Sequence, residues 1–331
     1  MVIFRIDHTL GDGLSIAKMC SEFITNVDGT PVRNLIPKSM ESGKDSLFKK
    51  NKLRMMLKII PAMIKTSLLP FSKRDHGTAF SKNIVGGNAK DTHVRKLMIF
   101  PSIPIKFVKS IKNKANVSFN DVLVAALSQT IHDFCHHHSC PMIRKHGQNT
   151  LCKTLIAVGF PNQGREKRNI LQNLWAPLSV PLHVGTKCII KRLMQINKTT
   201  KDLKRSPMAH CNLFFTNKVL PKLPIAVLQF ITHRYFSAHS LMSTSVPGPS
   251  RQICIANKPV SSCRFTVIGQ IQPVLCMLSY NDDVNIMLNI DHTAVPNADL
   301  LPSFYLKALV KLANELDLDV PSTMKEDYKQ A

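Results

Sequence analysis

Acidic residues are scarce in this sequence. Its 331 residues include 21 Asp and Glu but 44 Lys and Arg, which gives a formal net charge of +23. Such an excess implies an anionic partner, such as nucleic acid, phospholipid headgroups or a phosphorylated ligand. Zinc-finger, RNP-like and helix-turn-helix patterns are absent, and aromatic residues make up 6% of the chain. We therefore expect no nucleic-acid partner, and a nucleic-acid-binding protein is an alternative that the charge alone suggests.

Long apolar runs are also absent. No stretch of about 18 consecutive apolar residues occurs, as a membrane-spanning helix would need. The apolar start of the chain is too short for a signal peptide. Any membrane role is therefore predicted to be peripheral. The apolar content of 44% is nevertheless normal for a protein with a folded core.

Paired cysteine motifs and common catalytic loops are missing as well. The nine cysteines are scattered, without a CxxC pair, which favours reduced thiols in the cytosol. The sequence has no GxSxG elbow and no Walker or Rossmann glycine loop. A group of His and Cys side chains matches no standard zinc spacing, so we predict no metal site. Its members are His132, Cys135, His136, His137, His138 and Cys140.

Hydrophobic periodicity predicts a mixture of helices and strands. Strands are predicted at residues 1–6, 94–100, 151–160, 178–184, 252–256, 264–271, 274–280 and 284–290. Helices are predicted at residues 14–24, 119–134, 186–203, 219–236 and 299–316. Ser118 is the expected N-cap of the second of these helices, and Ser102 is expected to cap another helix that has Pro104 in its first turn. Because no βαβ period appears, an α+β fold fits best.

The pattern of apolar and basic residues at 53–69 predicts a basic amphipathic helix with a kink at Pro61. Apolar residues recur along it, and lysines and arginines lie within or beside it. Such a helix can lie in a membrane interface. It can equally cover a core and hold its lysines in solvent. The sequence leaves both interpretations open.

The most informative segment is residues 7–13, Asp-His-Thr-Leu-Gly-Asp-Gly. It places His8 where the predicted first strand ends, a position at which a rigid element can aim a side chain that a loop leaves accessible. Histidine suits general-base chemistry because its pKa lies near neutrality. The segment resembles the HHxxxDG motif of CoA-dependent acyltransferases, except that Asp7 replaces the first histidine. A second Asp-His-Thr, at residues 291–293, is interpreted as a coincidence.

Further short matches extend the resemblance along the chain. Within the HHxxxDG superfamily, the sequence is similar to the wax ester synthase/diacylglycerol acyltransferase (WS/DGAT) group of O-acyltransferases. The matches keep the order of that family's motifs. They are residues 117–126 with the VNDVVLAA helix start, Asn173-Leu174 and residues 180–182 with GN…VPLPV, residues 243–249 with SNVPGP, and residues 278–296 with SYNG…D…VP.

The resemblance implies a chloramphenicol-acetyltransferase-like, two-domain CoA-dependent acyltransferase fold of the α+β class, with an incomplete first domain. Residues 1–72 would be the remnant of the N-terminal acyltransferase domain, with the motif and the basic helix. Residues 73–92 would be a linker, and residues 93–331 the C-terminal WS/DGAT domain. The chain is therefore expected to lack an N-terminal segment that family members carry before the motif.

The resemblance also implies roles for individual residues. His8 would be the general base, Asp12 would hold the geometry of the motif loop, and Gly13 would let the chain turn. Asn120 and Asp121 would support the wall of the site through a capping box at a helix start, with a direct catalytic role as the alternative. Pro247 and Gly248 would shape a turn beside the site.

The implied activity is transfer of a long acyl chain from acyl-CoA to a fatty alcohol or diacylglycerol, as in wax ester or triacylglycerol synthesis. Acyl-CoA would be a co-substrate, and no resident cofactor is expected. The chain would associate peripherally with the cytosolic side of a membrane, at the endoplasmic reticulum, plasma membrane or a lipid droplet. The alternative is a catalytically inactive relative that binds a lipid or membrane surface.

Overall fold

A mixed β-sheet organises the part of the chain that the structure describes. The computed structural model describes residues 1–32, 52–81, 83, 85, 94–160, 171–267 and 272–324. The strands are β1 (Thr25–Asn26), β2 (Arg95–Ile99), β3 (Ile103–Pro104), β4 (Lys153–Gly159), β5 (Trp175–Pro181), β6 (Leu241–Pro247), β7 (Ile253–Ile255), β8 (Lys258–Pro259), β9 (Val274–Tyr280) and β10 (Asp283–Asp291). The large sheet has the order β2-β10-β9-β6-β4-β5, and β3 pairs with β10.

Helices follow in the same chain order. They are α1 (Gly13–Cys20), α2 (Lys52–Ser67), α3 (Ile105–Ala115), α4 (Phe119–His137), α5 (Pro141–His146), α6 (Ile189–Lys204), α7 (Met208–Phe214), α8 (Ile225–Phe236) and α9 (Leu301–Asn314). The mixture of segregated helices and a largely antiparallel sheet confirms the predicted α+β class.

The main core lies between one face of the sheet and a layer built around α4. Residues 121–132 of α4 are all buried, so this helix is enclosed on every side. Alternate residues of β10, from Val284 to Ile290, face it. The Tyr305 hydroxyl of α9 donates to the Leu123 carbonyl at 3.0 Å, which satisfies a buried polar group.

Strand direction brings several strand ends to one edge of the sheet. β6 runs parallel to both β4 and β9. β5 and β10 run antiparallel to β4 and β9. The last residues of β4, β6 and β9 therefore lie at the same edge as the first residues of β5 and β10. We call this the motif edge, because the N-terminal motif packs there.

The segment after α2 is tied to the opposite edge by Asp75. Its Oδ2 accepts hydrogen bonds from the Lys153 amide at 2.6 Å and the Ser240 amide at 2.9 Å. The Ser240 hydroxyl donates to the same oxygen at 2.7 Å. Burial raises the pKa of this carboxyl, and the nearby Lys153 ammonium opposes that rise. These hydrogen bonds fix the position of the segment that follows α2 relative to the sheet.

Three local predictions are wrong for identifiable reasons. Residues 1–6 form no strand, because no described strand lies beside them to complete a β-ladder. Ser102 does not cap α3; its hydroxyl donates to Asn285 Oδ1 at 2.9 Å, and Pro104 occupies the N-cap position. Residues 219–224 are not part of the helix predicted at 219–236, because α8 begins after Pro224.

The other predicted elements match observed ones to within a few residues, with one exception, whereas helices α5 and α7 were not predicted. Residues 264–267 form no strand, and the rest of that predicted strand, residues 268–271, lies outside the described residues. Residues 82, 84 and 86–92 of the linker predicted at residues 73–92 also lie outside them. Within the described ranges, no helix has the length and apolar character needed to cross a membrane.

Candidate active site

The N-terminal motif lies against the motif edge of the sheet. Gly13 is the first residue of α1, and a Cβ added to it would lie 3.3 Å from Cγ2 of Val246 on β6. A Cβ on Gly159, the last residue of β4, would come within 2.8 Å of Leu14 Cδ1. The start of α1 therefore approaches two strand ends closely. Gly13 has no positive φ angle, so close packing, rather than the expected turn, explains why a glycine fits there.

Asp12 fastens the motif to the chain that precedes β5. It is 4% exposed and is the N-cap of α1, accepting from the Ser15 amide at 3.0 Å. Its second oxygen accepts from the Leu174 amide at 2.9 Å. The Asp12 amide itself donates to the Gln172 carbonyl at 3.0 Å. One carboxylate thus caps a helix and joins two segments that are far apart in sequence.

Residues 172–174 complete the attachment, and we call them the clasp segment. The Ser15 hydroxyl donates to the Gln172 carbonyl at 2.8 Å. The Asn173 side-chain amide donates to the carbonyls of His8 and Thr9, at 3.0 and 3.1 Å. The backbone on both sides of the motif is therefore held by the same three residues.

His8 itself is exposed, although its backbone is anchored. Among the described residues, no hydrogen bond to its imidazole ring is found. The ring is thus open to a bound molecule while the Asn173 amide fixes the carbonyl behind it. This arrangement leaves both ring nitrogens available for proton transfer.

Asp7 forms a local turn. Its Oδ1 accepts from the Thr9 amide at 2.9 Å and the Thr9 hydroxyl at 2.8 Å. These hydrogen bonds lower the pKa of the Asp7 carboxyl. Oδ1 of Asp28 and Oδ1 of Asp291 each accept from the threonine two residues later in the same way. The recurrence follows from Asp-x-Thr turn chemistry, which agrees with interpreting the second Asp-His-Thr as a coincidence.

The structure brings Pro247 and Gly248 to the same edge as the motif. Pro247 ends β6, one residue after Val246, which contacts Gly13. The Gly248 amide donates to the Ser279 hydroxyl at 3.2 Å. A Cβ on Gly248 would lie 2.3 Å from the Ser279 carbonyl oxygen, so only glycine fits. Most of the matched segment at 243–249 is strand rather than turn, and only its last residues leave the sheet.

Asn120 and Asp121 lie at the start of α4, away from these contacts. The capping box between Ser118 and Asp121 is present, as predicted, with bonds of 2.9 and 3.2 Å. Asp121 Oδ1 also accepts from the Thr200 hydroxyl of α6 at 2.7 Å. Within the described ranges, no hydrogen bond links the Asn120-Asp121 pair to the motif.

The direction of α4 nevertheless places its N-terminus towards the motif edge. The Ser128 hydroxyl donates to the Leu182 carbonyl, and His132 Nδ1 lies 2.6 Å from the Val184 carbonyl oxygen. Later residues of α4 therefore meet later residues of the β5 segment, which runs away from the motif edge. Asp121 comes before both in the helix. A supporting role for this pair in the site wall stays a prediction.

Sequence reasoning did not identify the contacts of the clasp segment with the motif. Asn173-Leu174 matches part of a family motif in the sequence, but that match assigns it no role. The available signal was a polar side chain shortly before a strand. Its partners, at residues 8 and 12, are more than 160 positions away, so only the folded chain reveals them.

The histidine group near residue 132 serves the fold in the described part of the chain. Burial, and next the Arg192 charge, lower the pKa of His132 to about 4. Its ring lies 4.4 Å from that of His136. A neutral His132 donating to a buried carbonyl is a structural group. No set of three metal-ligating side chains is found in the described ranges.

Comparisons with known proteins agree with this architecture. The family model described as the WS/DGAT C-terminal domain matches residues 171–313, which include the clasp segment and β6. Wax ester synthase/diacylglycerol acyltransferase 3 of Arabidopsis thaliana is 22% identical over 95% of this chain and 68% of its own length. Acyltransferase 11 of the same group and plant is 22% identical over 89% of this chain and 66% of its own. The chain is therefore similar to WS/DGAT proteins over most of its length, and residues 171–313 match their C-terminal domain.

Two solved structures share the fold of this chain. The wax ester synthase/diacylglycerol acyltransferase from Marinobacter aquaeolei VT8 is similar with a TM-score of 0.58 and 15% identity, over 95% of this chain and 67% of that one. A nonribosomal peptide synthetase, FmoA3, matches with a TM-score of 0.54 and 11% identity, over 96% of this chain and 31% of that one. The predicted chloramphenicol-acetyltransferase-like fold is confirmed. The chain spans about two thirds of the length of its WS/DGAT relatives.

Proposed function

We propose that this chain transfers a long acyl group from acyl-CoA to the hydroxyl of a fatty alcohol or diacylglycerol. The observation that carries the proposal is the motif itself: His8 has an exposed ring on a backbone that Asn173 and Asp12 fasten to the sheet edge. The match of residues 171–313 to the WS/DGAT C-terminal domain suggests the class of reaction. Lysines and arginines, in large excess over acidic residues, would attract the phosphates of CoA.

In this reaction His8 acts as the general base. One ring nitrogen takes the proton of the acceptor hydroxyl as its oxygen attacks the thioester carbonyl. The tetrahedral intermediate then collapses, the carbon–sulfur bond breaks, and the proton on His8 passes to the CoA thiolate. The ester and free CoA are the products, and no resident cofactor takes part. No covalent acyl-enzyme is required, so the absence of a GxSxG elbow from the sequence fits the scheme.

The other site residues position this base. Asp12 holds the motif loop through the Ser15 and Leu174 amides. Gly13 allows α1 to approach β6, and Pro247 with Gly248 shapes the adjoining strand end. Asn120 and Asp121 support the wall of the site at the start of α4. The acceptor lipid would be met at the cytosolic surface of a membrane or a lipid droplet.

A catalytically inactive relative that binds lipid surfaces is the second candidate. It is favoured by Asp7, which stands where the family motif has its first histidine. Asp7 is committed to the Thr9 turn, so it offers the site no additional base. Under this candidate the chain would bind lipid and form no ester.

The test is an acyl-transfer assay with labelled palmitoyl-CoA and either hexadecanol or diacylglycerol. His8→Ala is expected to lower ester formation by a factor of about 100 or more, the usual contribution of a general base. His292→Ala is the matched control, because His292 is an exposed histidine in the same kind of Asp-x-Thr turn. It should keep wild-type turnover.

Two results would contradict the proposal. Ester formation that survives His8→Ala would remove His8 from the mechanism. No ester from the folded wild-type chain with either acceptor, together with vesicle binding, would favour the inactive relative.

A further inference from the structure

Helix α2 has apolar residues on two opposite faces. One face packs inwards: Ala62 is buried in a cluster with Met208 and Cys211 of α7, and the Thr66 hydroxyl donates to Asn212 at 2.7 Å. The other face points to solvent and carries a second apolar stripe. Its members are Leu57, Ile60 and Ile64, continued by Leu68 and Phe71 beyond the helix, and each is more than half exposed. Their spacing of three or four residues places them along one side.

Helix α8 is apolar, yet few of its side chains are buried against the rest of the described chain. Its sequence from Ile225 to Ile231 contains no charged residue, and its one buried residue is Tyr235, near its end. Ile225 and Phe230 are 68% and 59% exposed. A helix with apolar residues on most sides is normally buried. Something outside the described chain is therefore expected to cover it.

The two exposed sets adjoin. The turn at Leu69–Phe71 follows α2 directly and packs against α8. Leu69 shares a buried cluster with Tyr235 and partly buried Phe236. Because Leu68 and Phe71 flank this contact, the stripe of α2 continues onto α8. We call the combined patch the α2–α8 surface, formed by Leu57, Ile60, Ile64, Leu68, Phe71, Ile225, Val227 and Phe230.

Charge identifies what fits this surface. The sequence has no Asp or Glu in residues 46–74 or 203–281, the two stretches that contain the surface. Exposed Lys58 and Lys65 lie on α2, and exposed Lys218 and Lys222 precede α8. A second copy of this chain would present the same positive face and be repelled. An apolar surface bordered by lysines complements an anionic lipid bilayer.

We propose that the α2–α8 surface docks the protein onto anionic phospholipid membranes. The apolar side chains would enter the boundary between headgroups and acyl chains, and the lysines would stay at the level of the phosphates. The inference goes beyond acyl transfer, since it assigns a surface that neither the motif nor the clasp segment uses. It is independent of His8.

Vesicle sedimentation tests the proposal. The full chain is mixed with vesicles of phosphatidylcholine alone or of phosphatidylcholine with phosphatidylserine, without acyl-CoA. We expect stronger binding to the anionic vesicles, weakened by added salt. The triple variant Ile60→Ser/Ile64→Ser/Phe230→Ser should reduce partitioning at least about tenfold, because three apolar side chains lose their burial. These residues are exposed, so the variant should fold normally, which thermal unfolding would check.

Matched control variants distinguish binding through this surface from nonspecific hydrophobic binding and from attraction due to net charge alone. Leu97→Ser/Ile99→Ser removes exposed apolar residues from β2 and should leave binding unchanged. Lys58→Glu/Lys65→Glu should weaken binding about tenfold or more. Lys106→Glu/Lys109→Glu makes the same change in net charge on exposed positions of α3 and should have a much smaller effect.

Other outcomes would overturn the proposal. Equal losses in the surface variants and their controls would show that no specific surface is used. A dimer, detected by light scattering, that the triple variant dissociates without loss of vesicle binding would assign the surface to a second copy. His8→Ala should bind vesicles as the wild type does, so failure of docking and failure of the proposed chemistry are distinguishable.

Discussion

Residues 1–32 and the sheet with its covering helices bury their side chains in very different ways. Every residue of α4 from 121 to 132 is buried, and so are most residues of β9 and β10. At the N-terminus, by contrast, Met1 to Phe4 are all exposed, and α1 buries Leu14 and Ser15. The candidate base therefore stands on a segment that contributes little apolar burial. Its position depends on a few hydrogen bonds to the clasp segment, so site geometry and global stability should be separable.

The largest expected effect on stability is that of replacing a core phenylalanine, compared with the same replacement near the N-terminus. Phe134 is fully buried in the main core, and Phe134→Ala should lower the free energy of unfolding by about 3–5 kcal/mol. Phe4 is 58% exposed, and Phe4→Ala should change it by less than about 0.5 kcal/mol. Urea unfolding followed by circular dichroism measures both. Similar losses in the two variants would show that the N-terminal segment is part of the same cooperative core.

An intermediate effect is expected from Asp12→Ala. The change removes the N-cap of α1 and leaves the half-buried Leu174 amide without this acceptor, at a cost of about 1–3 kcal/mol. We expect the loss to appear as local opening of the motif. Hydrogen exchange at the Ser15 and Leu174 amides should accelerate, and acyl transfer should fall with it, while the urea midpoint shifts little.

Asp28→Ala is the control for this prediction. Asp28 also accepts hydrogen bonds from a nearby amide and hydroxyl, but it is exposed and does not touch the clasp segment. Its replacement should leave exchange at Leu174 unchanged. Slow exchange at Leu174 in Asp12→Ala would contradict the clasp, because the motif would then be held by other contacts.

The smallest expected effect is a pH dependence of the unfolding free energy. It arises from His132, which lies in the helices that cover the sheet rather than in residues 1–32. Burial lowers the pKa of His132 to about 4 in the folded chain, whereas an unfolded chain has a histidine pKa of about 6.5. Between these pH values the unfolded state binds more protons. Stability due to this group is therefore present above about pH 6.5 and is lost as the pH falls towards 4, by at most ~1.4 kcal/mol per pH unit.

His132→Asn tests this acid sensitivity. The asparagine amide can still donate towards the Val184 carbonyl, the partner of His132 Nδ1, but it cannot take up a proton. The variant should show a shallower fall in unfolding free energy between pH 6.5 and 4 than the wild type. Urea titrations at several pH values measure both slopes, and identical slopes would refute the assignment.

The sequence predicted those parts of the fold that local patterns determine. The apolar run in α4 and its capping box at Ser118 are local features, and both are confirmed. The first six residues have strand composition, yet a strand also needs a hydrogen-bonding neighbour, which composition cannot supply. Ser102 has the chemistry of a cap but finds Asn285 on β10 instead. That choice depends on how distant segments pack.

The candidate site divides in the same way. The motif pointed to His8, Asp12 and Gly13, and the structure places all three at the motif edge. The clasp segment could not be inferred, because hydrogen bonds between side chains and distant backbone leave no periodic trace in a sequence. The closeness of Gly13 to Val246 is likewise a result of strand order in the sheet.

The clasp also sets an order of events during synthesis. Asp12 and Leu174 are 162 positions apart, so at about 5–20 residues per second the ribosome adds the partner of Asp12 roughly 8–30 seconds later. Val246, which packs against Gly13, emerges later still. During this interval the motif and the apolar residues beside it lack their native contacts and are exposed. A chaperone that binds exposed apolar segments would act at this stage. The motif is thus translated well before the residues that make its native contacts.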